Sequence, residues 1–527
     1  MYYMGGGSIC KYLLPALMSA LLILTITSCN GNKNPLLPGI GRLVQSFQSG
    51  TEWAEGYSID SSSTLWIPPL PTGGAADTIA VYDLNLNPDP PVETLVTAFV
   101  RHTSPTAPSD IKLILLKRNG EAAMSPMTIS APPALTGNNE RFCRHPSVEV
   151  TYSREAESDE GQLEVQVVWS QLTGSSGNQH WDLYYKYILF DVDEEGVDWS
   201  NPYEPSITKI YTTISLYDEL QPDLCVDGAT CDLYVVFNRD YGSSNCEILV
   251  ASHTNVGYYT STWQDANEVS ATDDTPKIGP RIDAGPLDMA AEPNPDTTLS
   301  VATVWCEPGE YSNWQIMYNR WDTDDDPEPN DTEQISMSIE NGLHCYLPQI
   351  DIVPTDNIDN QAIITWTNAN YDDGEYYDQK VMITATPFME ASGVPFQDWN
   401  YTRCSDVAGY EGVTDAVVFP PPANLFGISY YHSDDESDPG VDWSVEVRRY
   451  SYTLNWQSEI VSFSKDKELD VQGSTAYWSS DNPFTGSTLT LRIPAKTNVS
   501  RISYSYFGLG WINDDGCVAE LTQGTID

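Results

Sequence analysis

The side chains best suited to recognition chemistry in this 527-residue chain are its scarce cations, since 25 Lys and Arg and 6 His stand against 75 Asp and Glu. Arg101, His102, Arg239 and His432 each follow closely on an apolar run that ends in an aromatic residue. Arg141, Arg144, His145 and His344 stand just before another kind of run. Gathered in one place, such groups would hold a carboxylate or sulfate through charge-assisted hydrogen bonds; scattered, they would only offset neighbouring acids. A hard cation is the other candidate ligand. Asp322, Asp324 and Asp326 alternate and Glu333 follows at the twelfth position, the spacing of a calcium loop, although Pro327 stands where such a loop turns on Gly. Calcium is therefore the best cofactor candidate, set against a merely solvated acidic loop. Cys225 and Cys231 flank the turn Val226-Asp-Gly-Ala-Thr230 and are the expected disulfide among the cysteines beyond Cys29. The sequence contains no nucleophile-elbow serine, phosphate-binding glycine loop, paired-His zinc motif or Cys-x-x-Cys. A pair of carboxylates for glycoside hydrolysis has no distinguishing mark among 75 acids.

A formal net charge of −50 excludes nucleic acid as a natural partner, because a polyanion needs a basic footprint. Hydrophobic residues at 40% and aromatics at 11% nonetheless supply a large core. Near the N-terminus, Lys11 precedes the apolar run Tyr12 to Ile26, which is too short to span a bilayer and has the length of a secretory h-region. It ends in Ile26-Thr27-Ser28-Cys29, which resembles a bacterial lipobox. The resemblance implies cleavage after residue 28 and acylation of Cys29, with Asn30 at the second mature position favouring the outer membrane. Several acyl chains hold a membrane where one does not. Residues 29–50, rich in Asn, Gly and Pro, are expected to form a flexible tether below one domain spanning 51–527.

The remainder carries a repeat with the punctuation of an all-β chain. An apolar run ending in an aromatic residue recurs at intervals of about 50–70 residues: Leu95–Phe99, Val165–Trp169, Leu233–Phe237, Val301–Trp305, Ala362–Trp366, Phe426–Tyr430 and Ser474–Trp478. Each is followed by a polar–aliphatic pair that opens the next run: Asp110-Ile111, Asp182-Leu183, Glu247-Ile248, Gln315-Ile316, Lys380-Val381, Ser444-Val445 and Thr488-Leu489. Upstream of four copies a run begins at a proline, Pro146, Pro222, Pro280 or Pro348, as suits the first residue of a strand. Seven units with room for four strands each predict a seven-bladed β-propeller, closed by residues 51–70 pairing near Arg501 to Gly508. Trp181, Trp314 and Trp443 open the third run of three units, a recurrence expected of packing between blades.

The Pro-led, aromatic-ended and Asp-Ile-like runs together are similar to the repeats of sialidase-like propellers over about residues 77 to 495. The Asp-box of that family leaves a trace at Glu194-Glu195-Gly196-Val197-Asp198-Trp199 and a weaker one between Gly257 and Trp263. An active sialidase would bring three arginines, a Tyr-Glu pair and an acid/base Asp, with Arg-Ile-Pro near the first blade. Arg492-Ile493-Pro494 lies in the last unit instead, so no catalytic residue is carried over. The expectation is a monomeric, lipid-anchored propeller of the cell envelope that binds a protein or glycan without catalysis. A divergent glycan-active enzyme using the same loop face is the alternative.

Overall fold

The computed structural model describes the backbone of residues 42–48, 62–67, 505–512 and 519–526 and, omitting most inter-strand loops, 94–471. Side chains are described for stretches between 108 and 384 and at 428, 450 and 451. Every regular element among the described residues is a β-strand, and these strands form seven antiparallel sheets within the compact unit Gly41–Asp527. The first strand, β1 (Arg42–Gln48), belongs to the sheet that also holds the chain's end. Sheet I contains β2 (Ser62–Ile67), β3 (Thr94–His102), β4 (Ser109–Lys117) and β5 (Met127–Thr128). Sheet II contains β6 (Cys143–Arg154), β7 (Gly161–Ser175) and β8 (Asn178–Asp193), with β9 (Gly196–Val197) and β10 (Thr208–Lys209) both paired to β8. Sheet III is β11 (Asp218–Val226), β12 (Leu233–Asp240), β13 (Cys246–His253) and β14 (Asn267–Glu268). Sheet IV is β15 (Ile278–Ala284), β16 (Ser300–Pro308), β17 (Trp314–Asp322) and β18 (Glu333–Gln334). Sheet V is β19 (Leu343–Val353), β20 (Gln361–Asp372), β21 (Glu375–Ala385) and β22 (Thr402–Arg403). Sheet VI is β23 (Tyr410–Val418), β24 (Leu425–Ser433), β25 (Ser444–Asn455) and β26 (Ile460–Val471). Sheet VII runs β1, β28 (Ala519–Ile526), β27 (Ser505–Ile512).

The first strands of successive sheets touch one another from β2 through β6, β11, β15 and β19 to β23, while β27 touches β2 and β26 touches β28. First strands that meet around an axis while later strands radiate outward define a β-propeller. Closure differs from the sequence expectation. Ser62–Ile67 opens sheet I, whereas Arg42–Gln48, inside the expected tether, pairs with Ala519–Ile526.

The aromatic-ended runs of six units coincide with second strands; Ser474–Trp478 and Thr488-Leu489 lie outside the described residues. In β7, β12, β16 and β20 both faces are covered, which is why these runs read as continuously apolar rather than as alternation. In β7, Val167 and Trp169 pack against Ile111 and Leu113 of sheet I, while Val168 packs with Leu224 and Phe237 of sheet III. Trp305 in turn faces Val236 and Ile248 of sheet III.

The prolines occupy a different place from the one expected. Pro146, Pro222, Pro280 and Pro348 sit inside β6, β11, β15 and β19, each second in a two-residue bulge opposite the buried Trp169, Phe237, Trp305 or Trp366. The residue before each proline has positive φ: His145 at 50°, Gln221 at 53°, Gly279 at 60° and Leu347 at 53°. A bulge leaves a position without ladder bonds, which a residue lacking an N–H fills at no cost. Just beyond the bulges, polar side chains tie one first strand to the next. Ser147 Oγ accepts from the Leu224 N–H at 3.1 Å, Asp223 from the Ile282 N–H at 3.0 Å and Asp283 from the Ile352 N–H at 2.7 Å.

Candidate functional site

Antiparallel pairing brings the starts of first strands, the ends of second strands and the starts of third strands to one rim, as the unit pattern requires. The register also sets an acid beside several of the cations. Arg101 lies across from Asp110, Arg239 lies between Glu219 and Glu247, and His432 lies between Glu411 and Ser444. The side chains of Arg101, His102 and His432 are outside the described residues, as is Arg141.

In sheet III the predicted anion site is already neutralised. Arg239, 6% exposed, donates from Nη2 to Glu219 Oε1 at 3.1 Å, and Glu219 is 1% exposed. On the other flank the Tyr241 hydroxyl donates to Glu247 Oε2, and the ring of Tyr217 lies edge-on at 4.3 Å. Burial pushes the Tyr241 phenol up to about 12, the Glu247 carboxylate adding to the rise and Arg239 opposing it. Neighbouring Lys277 is wholly buried, its Nζ donating to Asp273 Oδ1 at 2.5 Å and to the Cys246 carbonyl at 3.3 Å. Glu307 has its carboxyl raised by burial, opposed by the Trp305 Nε1–H that it accepts at 3.0 Å. His344 is no cationic contact either. Burial lowers its pKa, and its Nδ1 accepts the Trp314 N–H at 3.3 Å, which requires that nitrogen to be unprotonated.

Arg144 alone among the predicted cations is described as exposed. Its guanidinium carbon lies 5.0 Å from the Trp181 ring centroid, within cation–π range. The backbone N–H of Trp181 donates to Asp218 Oδ1 of sheet III at 2.9 Å, which ties this strand position to the next sheet. His145, in the bulge, is half-buried. On the opposite face of the same strand lies a group the sequence reading missed: buried Asp182 receives Lys209 Nζ at 2.8 Å, with His180 Nε2 at 3.4 Å and the Thr173 hydroxyl also bonded to it. His180 Nδ1 has no hydrogen-bond partner. The available signal was His180-x-Asp182, two side chains on one face of a strand. The plate offers a flat aromatic surface and a positive charge, suited to a hydroxylated or carboxylated ligand.

The other expected sites fare differently. Asp324 and the side chain of Asp322 lie outside the described residues; Asp326 is exposed and accepts the Asn267 amide at 2.6 Å, and Glu333 pairs with Tyr318 in β18. Among the described residues no three His, Cys, Asp or Glu come together as metal ligands. Cys225 is a buried thiol whose side chain joins Tyr234, Val236 and Ile282 in the core. Cys231 lies outside the described residues. The Asp-box trace forms a turn in which Asp198 Oδ1 accepts from the Ser200 N–H at 2.9 Å while Trp199 packs edge-on against Phe190 at 4.9 Å. It is a structural corner.

All-β sheets arranged in this way define a β-propeller. No protein-family model and no curated protein matches the chain. Among solved structures it is similar to the polysaccharide lyase Uly1, at 9% identity over 92% of this chain and 100% of that one with a TM-score of 0.43. It is similar to the Hadza microbial sialidase Hz136, at 9% identity over 92% and 94% with a TM-score of 0.38. A third is an α-L-arabinanase of Penicillium chrysogenum complexed with arabinobiose, at 10% identity over 73% and 93%, TM-score 0.38.

Proposed function

We propose that the protein is a lipid-anchored propeller of the cell envelope, acylated at Cys29, that binds a glycan or protein ligand on the rim of sheet II without transforming it. The observation that carries this reading is the exposed Arg144 guanidinium held over Trp181 on a rim where Arg239, Lys277 and Tyr241 are bonded to acids of the protein itself. Such internal pairs make a rigid surface, and a binding module needs little more. The second reading, a glycan-active enzyme, draws on the Tyr241–Glu247 hydrogen bond, since a hydroxyl and a carboxylate in contact can share a proton. The raised Tyr241 pKa favours a phenol that keeps its proton. The test is a glycan array and envelope pull-down with wild type, Arg144→Ala and Trp181→Ala. A central contact should weaken binding by about tenfold or more on truncation. Unchanged binding by both folded variants overturns the assignment, and product release from a captured glycan overturns the non-catalytic part. Labelling with a clickable fatty acid should mark wild type and miss Cys29→Ala.

A further inference from the structure

In three successive sheets, the residue after the buried aromatic and the residue two before the positive-φ residue of the next sheet occupy equivalent places. The pairs are Ser170 with Glu219, Asn238 with Lys277, and Cys306 with Cys345. Within the second pair, Asn238 Nδ2 donates to the Lys277 carbonyl at 3.2 Å, so these places meet across the sheet boundary. Moreover, the Lys277 side chain turns back to the Cys246 carbonyl of sheet III. The third pair repeats the arrangement with two thiols. Trp305 faces sheet III, so its neighbour Cys306 faces the other way, toward sheet V, and β16 touches β19. The bulge at Leu347 aims that residue's N–H at the Cys306 sulfur, as the bulge at Gly279 aims its own at Gln221 Oε1 of the preceding sheet at 2.7 Å. The Cys345 thiol donates to Asn368 Oδ1 of its own sheet at 3.0 Å and lies near Ser336, whose Oγ accepts the Ile316 N–H of sheet IV at 2.8 Å. Both cysteines are fully buried and stand as free thiols in this structure, the reduced form of the pair.

We propose that Cys306 and Cys345 are joined by a disulfide that staples sheet IV to sheet V in the mature protein, an inference that rests on the envelope reading for its oxidising compartment. A disulfide needs Cα atoms about 4.4–6.8 Å apart, a span that facing positions on touching strands can meet. Each thiol gives up its hydrogen and one S–S bond forms. The two protons and two electrons pass to the disulfide of an exported thiol oxidoreductase, which leaves as a dithiol after thiolate attack and resolution of the mixed disulfide. Burial pushes Cys345 up to about 12 and raises Cys306 as well, so thiolate is scarce once the sheets have closed. The bond therefore forms as sheets IV and V come together, before burial is complete, and packing then shields it from reductants.

Full-length protein isolated from the envelope is denatured with N-ethylmaleimide and no reductant, digested and mapped by mass spectrometry. The expected result is one linked peptide pair carrying Cys306 and Cys345, lighter than the separate peptides by two hydrogens, with Cys345 becoming fully alkylated in Cys306→Ala. Both cysteines alkylated in a protein that carries the Cys29 lipid, or either bridged to another cysteine, overturns the staple. If the protein carries no lipid, the envelope reading has failed separately, and refolding the reduced chain in a glutathione redox buffer decides. The same linked pair upholds the staple there, and free thiols overturn it.

Discussion

Arg239 and Arg144 are both arginines of the same rim, yet only one is available to a ligand. Arg239 has a neighbouring strand on either side and Glu219 within hydrogen-bond reach, so its charge is consumed inside the fold. Arg144 stands on the first strand of its sheet, where the opposing positions are Ser170 and then the bulge, and its guanidinium settles on an indole instead. The two should respond differently to truncation. Arg239→Ala is expected to cost about 3–5 kcal/mol, because it leaves a carboxylate buried without its guanidinium. Arg144→Ala should stay within about 0.5 kcal/mol while removing ligand binding. Urea unfolding of the two variants checks the difference, and equal losses would place Arg144 in the scaffold. The sequence showed that both residues adjoin strand ends. It gave no sign of which was paired, since Glu219 is distant along the chain and becomes a neighbour only through the register of β11 on β12.

The recurrent element is the bulged first strand. A left-handed residue followed by proline opposite a buried aromatic re-aims the strand and frees an N–H for the preceding sheet, and the next polar side chain reaches forward to the following one. Gly279 tests the backbone part. A Cβ there meets nothing within 4 Å, so Gly279→Ala should lose only the cost of a left-handed conformation, about 1–2 kcal/mol. Asp223→Ala tests the inter-sheet part and is expected to cost about 1–3 kcal/mol by leaving the Ile282 N–H without its acceptor. Thermal unfolding distinguishes them from a neutral surface change, and an unaffected Asp223→Ala would show that water replaces the carboxylate. The prolines were visible in the sequence and correctly marked first strands. Their position within the strand was not visible, because a bulge is defined by what lies opposite, here Trp169, Phe237, Trp305 and Trp366.

At the scale of the molecule, stability depends on closing the ring, and β1 contributes to the closing sheet from the opposite end of the chain. Removing residues 1–40 should therefore leave the Tm of the soluble protein unchanged, whereas removing 1–49 strips β1 from β28, lowers the Tm and exposes an edge that associates with rising concentration. Calorimetry and light scattering on the two truncations check this, and identical behaviour would return Arg42–Gln48 to the tether. The sequence by itself determined the all-β class and the recurrence of the unit. Apolar runs and prolines are local patterns whose physical meaning survives without a partner. Short outer strands such as Asn267–Glu268 and Glu333–Gln334 carry too few residues to show any period, and only the sheets beside them gave them a place. The tertiary structure alone decided which strand closes the ring and which cations remain exposed. Each of these depends on residues that are far apart in sequence and meet only when the sheets pack, and their burial then sets their charge and reactivity.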